Sequence, residues 1–184
     1  IVGFARTAKI SGLAPPIEPE DVIRTRRMDY FRLMAGGSGA SVAVVEDVDY
    51  PNCIAGWWGE VHVAVHKGLG LQGAVTNGVM RDLDVIDDGF PVLAGSIGPS
   101  HGYVHVVEIG TSVNVLGMRV AQDELIHADR HGALVIPAEV IPELKKAIET
   151  VFESEAIVLG PARDPGFDIT KLEEAWAKFE KART

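Results

Sequence analysis

Residues 73–82 read Gly-Ala-Val-Thr-Asn-Gly-Val-Met-Arg-Asp, an apolar strand pattern and an Asn-Gly turn that end with a cation beside an anion. A turn leaving a strand end presents side chains to a ligand without disturbing a core. At one point on such a turn, the Asp82 carboxylate can hold a hard divalent cation and the Arg81 guanidinium can stabilise developing negative charge. A second segment, Trp57-Trp58-Gly59-Glu60-Val61-His62, supplies what that pair lacks. Gly59 to His62 opens a helix by its spacing, and a helix start carries unpaired N–H groups at the positive end of its dipole. A carboxylate fits there, and Gly59 lets the backbone approach closely. Taken alone, Gly59-Glu60 is equally a plain helix start, Asp82 a helix cap and Arg81 a surface cation. Taken together and in order, the two segments describe a site for an anionic 2-oxo acid.

Other chemistry is harder to place. The six histidines fall into i, i+4 pairs, His62/His66, His101/His105 and His127/His131. The last two pairs lie in strand patterns, where four residues span about 13 Å and cannot share one ion. Only His62/His66 lies on a predicted helix, and it lacks the adjacent Glu of a zinc-protease helix. The single Cys53 excludes an internal disulfide, suits a reducing compartment and has no thiol-enzyme context. Neither Gly36-Gly37-Ser38-Gly39 nor the run Gly68 to Gly73 has the polarity or the following residues of a phosphate loop. Gly95-Ser96-Ile97-Gly98 is not a nucleophile elbow.

The 184 residues carry 47% hydrophobic and 23% charged side chains, globular proportions, with a net charge of −9. That charge argues against a nucleic-acid partner, and no apolar run is long enough to cross a membrane. The basic stretch Arg24 to Arg27 follows acidic residues and reads as a solvated helix face. No signal peptide is evident, so a cytoplasmic location is expected. The chain begins in the middle of a strand pattern, as though an N-terminal piece preceded it.

The elements that must position the site follow from periodicity. Strands are predicted over residues 1–10, 41–45, 73–76, 92–97, 103–109, 113–120, 124–128 and 133–136. Helices are predicted over 19–34, 57–68, 82–88, 137–153 and 168–181, with loop at 161–165 and Asp168 as a cap on a polar terminal helix. Helix and strand alternate in the first half and strands dominate the second. This order predicts one α/β layered domain with mixed sheets over 1–184, rather than a doubly wound parallel sheet.

Gly59-Glu60, the helix after it, Gly68 to Gly73 and Val75 to Asp82 together resemble the RraA-like family. The stretch Leu125 to Pro137 fits the same pattern. That family includes 4-hydroxy-4-methyl-2-oxoglutarate aldolase and the regulator of ribonuclease E activity, and some members were once labelled demethylmenaquinone methyltransferases. The resemblance implies a swivelling β/β/α domain assembled as a homotrimer or hexamer. It also implies Mg²⁺ or Mn²⁺ held by Asp82 mostly through water, Arg81 on the pyruvyl portion of the substrate, and a substrate carboxylate on the backbone of Gly59, Glu60, Val61 and His62. The expected activity is a metal-dependent lyase, acting as an aldolase on 4-hydroxy-2-oxo acids or as an oxaloacetate decarboxylase, through a pyruvate enolate. The competing expectation is a non-catalytic, protein-binding regulator. Three departures bear on specificity: Asn77-Gly78 stands where the family commonly has Asp-Gly, Gly59-Glu60 where it has Gly-Asp, and Val61-His62 where a small or apolar continuation is usual. The family's N-terminal helical segment is also absent from the sequence.

Overall fold

The computed structural model describes residues 1–99 and 101–183. Two compact units form, Ile1–Pro137 and Ala138–Thr184.

The first unit is organised by β1 (Val2–Ser11). On one side it pairs in parallel with β2 (Ser41–Asp47) after the crossover helix α1 (Glu20–Ala35). On its other side its first residues pair with β11 (Leu125–Asp129) and its last with β8 (His105–Ile109), both antiparallel. β4 (Leu71–Thr76) and β6 (Val92–Leu93) extend the parallel edge, and β12 (Gly132–Ile136) the antiparallel one. The mixed sheet therefore runs β12-β11-β1-β2-β4-β6, with β8 beside β1. A second, all-parallel sheet has the order β3 (Gly56–Trp58), β5 (Val79–Met80), β7 (Ser96–Ile97). β9 (Val113–Val115) and β10 (Met118–Val120) form a hairpin.

The continuous apolar run Val42 to Val45 means that β2 is covered on both faces. Its alternate residues feed two cores. Ala43 and Val45 join Tyr30 and Met34 of α1, Trp57 and Trp58 of β3, Val63 of α2 (Glu60–Gly68) and Phe90. Val42 and Val44 join Val113, Val115 and Val120 of the hairpin with Ile126 and Ala128. Helices with the small sheet cover one face and the hairpin the other, which is the layered α/β arrangement with mixed sheets that the sequence predicts.

Local departures have physical causes. Trp57 and Trp58 are strand, not helix; both are buried, and the helix starts only after Gly59, whose backbone is extended. Residues 82–88 form turns instead of a helix. Asp82 has φ +59°, incompatible with opening a right-handed helix, and its carboxylate is engaged elsewhere. The single strand expected over 92–97 is two, β6 in the mixed sheet and β7 in the small one. The chain passes between them at Gly95, where an added Cβ would lie 2.3 Å from the carbonyl oxygen of Asn77.

The second unit comprises a 3₁₀ turn (Ala138–Val140), α3 (Ile141–Ala162) and α4 (Ile169–Ala182). α3 runs well past residue 153 and absorbs Pro161 into its last turn, so the loop expected at 161–165 falls at 163–168. Asp168 caps α4 as predicted, its side chain accepting from the Lys171 N–H at 2.9 Å. Among the described residues no helix is long and apolar enough to cross a membrane.

Gly95→Ala is expected to cost about 1–3 kcal/mol, the usual range for forcing atoms into filled space. Its urea-denaturation midpoint against wild type checks this.

Candidate functional site

β3 and β5 run side by side and end together. The Arg81 N–H continues their ladder by donating to the Trp58 carbonyl at 2.8 Å. β3 then passes through Gly59 into α2, and β5 into Arg81-Asp82, so the two segments singled out in the sequence meet. The Arg81 guanidinium is fixed at two points. Nε donates to the Gly56 carbonyl at 3.1 Å, and Nη1 lies 3.2 and 3.0 Å from the two Asp82 carboxylate oxygens. Asp82 Oδ2 in turn accepts the Glu60 N–H at 3.2 Å. The carboxylate thus caps α2 from a different strand, at the positive end of the helix dipole. Gly59 makes this possible: a Cβ there would stand 2.4 Å from Asp82 Oδ2 and 3.1 Å from Cγ and Cζ of Arg81. The two side chains remain reachable, at 17% exposure for Arg81 and 31% for Asp82.

Glu60 and Val61 are exposed on the first turn of α2, and Val61 carries its side chain largely in solvent. His62 is half-buried, and its ring rests on Trp57 with centroids 4.0 Å apart and near Phe31 and His66. Its Nδ1 is buried with no partner among the described residues. Burial, followed by the nearby His66, Arg27, Arg81 and His101, holds the ring down to about 3, so it is neutral.

One turn further, His66 is fully buried. Its Nδ1 lies 2.6 Å from the His62 carbonyl, which can only accept, so Nδ1 carries the proton. Nε2 therefore accepts from the Tyr30 hydroxyl at 2.6 Å, and the Tyr30 oxygen accepts from Trp57 Nε1 at 3.3 Å. Burial lowers His66 to about 4 and raises the Tyr30 phenol. With both nitrogens of His66 engaged, His62/His66 is a packed pair and not a zinc site. His105 Nδ1 is occupied by the Tyr103 carbonyl and His131 Nδ1 by Asp129. Among the described residues no group of three or more His, Cys, Asp or Glu side chains is arranged to hold a metal.

A cation at Asp82 would accordingly have one protein carboxylate and complete its shell with water and ligand oxygens, the habit of Mg²⁺ rather than Zn²⁺. The donor set fits that ion. Asp82 is accessible, and a carboxylate offers about four acceptor positions, more than its present neighbours use.

Two features near the site escape sequence reasoning. Asn77 is not a turn residue facing the ligand. Its side chain is buried, with Oδ1 accepting the Asp47 N–H at 2.7 Å and Nδ2 donating to the Asp47 carbonyl at 3.0 Å. Only an amide satisfies a donor and an acceptor at once, so an aspartate there would lose half of the clamp. The Tyr30-His66-Trp57 chain is also invisible as spacing, although the Trp57-Trp58 pair before a glycine signals a buried strand end. Cys53 is half-buried, and burial with the neighbouring Asp47 raises its thiol to about 12, so it is no nucleophile.

A sequence model of the RraA-like family (Aldolase/RraA) matches residues 1–135. The chain belongs to the RraA-like family. It is 32% identical over 100 residues to the uncharacterized protein MJ0644 of Methanocaldococcus jannaschii, covering 53% of this chain and 48% of that one, so the chain spans about half the length of this relative. An uncharacterized protein from Pseudomonas syringae pv. tomato has a similar solved structure, with TM-score 0.69 and 19% identity over 96% of this chain and 75% of the other. Streptomyces coelicolor RraAS2, described as an unusual member of the RNase ES inhibitor RraA family, aligns with TM-score 0.63 and 21% identity over 89% and 77%. At these identities the structures establish the fold alone. RraA-like proteins include both lyases and ribonuclease regulators.

The neutral histidines give a pH signature. The folded state refuses protons that the unfolded histidines accept from about pH 6.5 downward. The unfolded state then binds more protons, so stability falls as pH drops through that window, ending near about 4 for His66 and about 3 for His62. The expected slope is up to about 1.4 kcal/mol per pH unit for each histidine. Urea unfolding between pH ~6.5 and ~5, above most carboxylate titration, measures it; a flat profile there contradicts the buried neutral pair.

Proposed function

We propose that this RraA-like protein is a divalent-metal-dependent carbon–carbon lyase. Its substrate would be a 4-hydroxy-2-oxo acid, cleaved by retro-aldol reaction to pyruvate, or oxaloacetate, decarboxylated to pyruvate. One observation carries the reading: Arg81, Asp82 and the first turn of α2 converge on one accessible point. Both reactions break the C3–C4 bond, one carbon beyond the 2-oxo carbon, so that its electron pair passes into the enolate of pyruvate while C4 leaves as a carbonyl compound or as CO₂. Mg²⁺ or Mn²⁺ held on Asp82 would polarise the 2-oxo group and stabilise that enolate.

The chain's own residues supply the rest. The N–H groups of Glu60, Val61 and His62 have no intrahelical acceptor and, with the helix dipole, receive the substrate carboxylate. Arg81 is held by Gly56 and Asp82 in a fixed orientation, so its charge meets the enolate without reorganisation. His62 is not the base: a ring held down to about 3 takes a proton too weakly near neutral pH. Water fills that role. Val61, Leu83 and Ile97 expose apolar side chains on segments around the pair, a rim that a neighbouring subunit of a homotrimer or hexamer would close.

Pyruvate release from oxaloacetate, followed with Mg²⁺ and again with excess chelator, tests the proposal. Asp82→Ala is expected to lower kcat by about a hundredfold or more while circular dichroism stays unchanged. Gly59→Ala is expected to cost activity through displaced Asp82 and Arg81 side chains. Turnover unchanged by excess chelator would overturn the metal's role, and absent turnover in the wild type, with the protein folded, would instead favour a protein-binding regulator.

A further inference from the structure

The second unit lies beyond the residues matched by the family and is a helical hairpin with very little core of its own. The buried residues of α3 and α4 are Ser154 and Ala175, both small. A hairpin of this size gains little from its own packing, and short helices owe most of their stability to a buried apolar face.

α3 has such a face and leaves it uncovered. Ile141, Ile148, Phe152 and Leu159 are 39%, 44%, 66% and 43% exposed. At 3.6 residues per turn, these four lie within about 40° of one another around the helix and span about 27 Å. Their spacing of seven, four and seven residues is that of a helix–helix seam. It is also symmetric about residue 150: 141 mirrors 159, and 148 mirrors 152. A seam with that symmetry matches itself when a second copy is turned end for end. Ile141 of one helix then meets Leu159 of the other, and Ile148 meets Phe152.

The charges agree with that direction. Lys145 and Lys146 lie before residue 150, in a half that also holds Glu143 and Glu149, and Glu153 and Glu155 lie after it, in a half with no lysine or arginine within α3. Lys145 already lies 3.9 Å from Glu149 on its own helix. An antiparallel partner sets Lys145 and Lys146 of each helix beside Glu155 and Glu153 of the other. A parallel partner would set lysines beside lysines and glutamates beside glutamates, at a cost.

We infer that α3 is a self-association surface, on which a second copy of this chain docks its own α3 in antiparallel fashion about a two-fold axis near residue 150. The contact is isologous, so each α3 pairs with one other and the interface closes. It is independent of the lyase reading.

Sedimentation equilibrium of the intact protein tests it. Ile148→Glu with Phe152→Glu is expected to halve the molar mass. A variant carrying both Ile141→Cys and Leu159→Cys is expected to form a covalent pair under mild oxidation, while either substitution alone does not. The two positions are too far apart within one helix to join intramolecularly, and the cysteine variant keeps the seam largely apolar should the charged one misfold. An unchanged mass in the glutamate variant, no cross-link in the double cysteine variant, or equal cross-linking of Ile141→Cys alone would overturn the inference.

Discussion

The site depends on a missing side chain. Asp82 and Arg81 can lie against the start of α2 only because residue 59 has no Cβ; any other residue would put a carbon 2.4 Å from the Asp82 carboxylate. With glycine there, one carboxylate balances a guanidinium and satisfies the Glu60 N–H at once. Asp82 holds φ +59° to do so, a conformation that costs an L-residue roughly 1–2 kcal/mol. The charge-assisted bonds it makes are of the size needed to offset that strain.

Beneath this point lies a dry, rigid floor. Trp57, Trp58, Tyr30, Phe31 and His66 pack around the first two turns of α2, and the Trp57–Tyr30–His66 chain fixes every proton in it. Buried polar chains of this kind are stable only when complete. This one is complete because the His62 carbonyl, one turn back on the same helix, takes the last proton. α2 therefore cannot rotate without breaking a buried hydrogen bond, and its N-terminus stays aimed at Arg81 and Asp82.

Much of this was legible in the sequence, and what was not has a physical explanation. Gly59, Glu60, Arg81 and Asp82 stand out because glycine, a helix start and an adjacent pair of opposite charges are local signals, and the structure brings them together. β2 and β4 read correctly because buried parallel strands are continuous apolar runs. The helix expected at 82–88 fails because helical composition there is overridden by a backbone twist at Asp82 that serves a contact with another strand. The strand over 92–97 reads as one because a change of sheet leaves no mark except a glycine. Asn77 was read as a turn residue, since an Asn-Gly pair has the same letters whether its amide faces solvent or, as here, clamps the end of β2.

The same carboxylate has two demands on it, and that shapes how ligands would arrive. Asp82 occupies the Glu60 N–H that, on the proposed function, a substrate carboxylate would want. A carboxylate seated at the α2 N-terminus would take over that hydrogen bond and place a second negative charge near Arg81. Asp82, released from α2, would then have its lone pairs open to a cation, and the added negative charge would make that cation more welcome. Charge balance would therefore tie the two proposed binding events together: without the anion, Arg81 alone neutralises Asp82 and a cation would have to compete with it; with the anion, one guanidinium would face two carboxylates and a cation would move the site back toward neutrality.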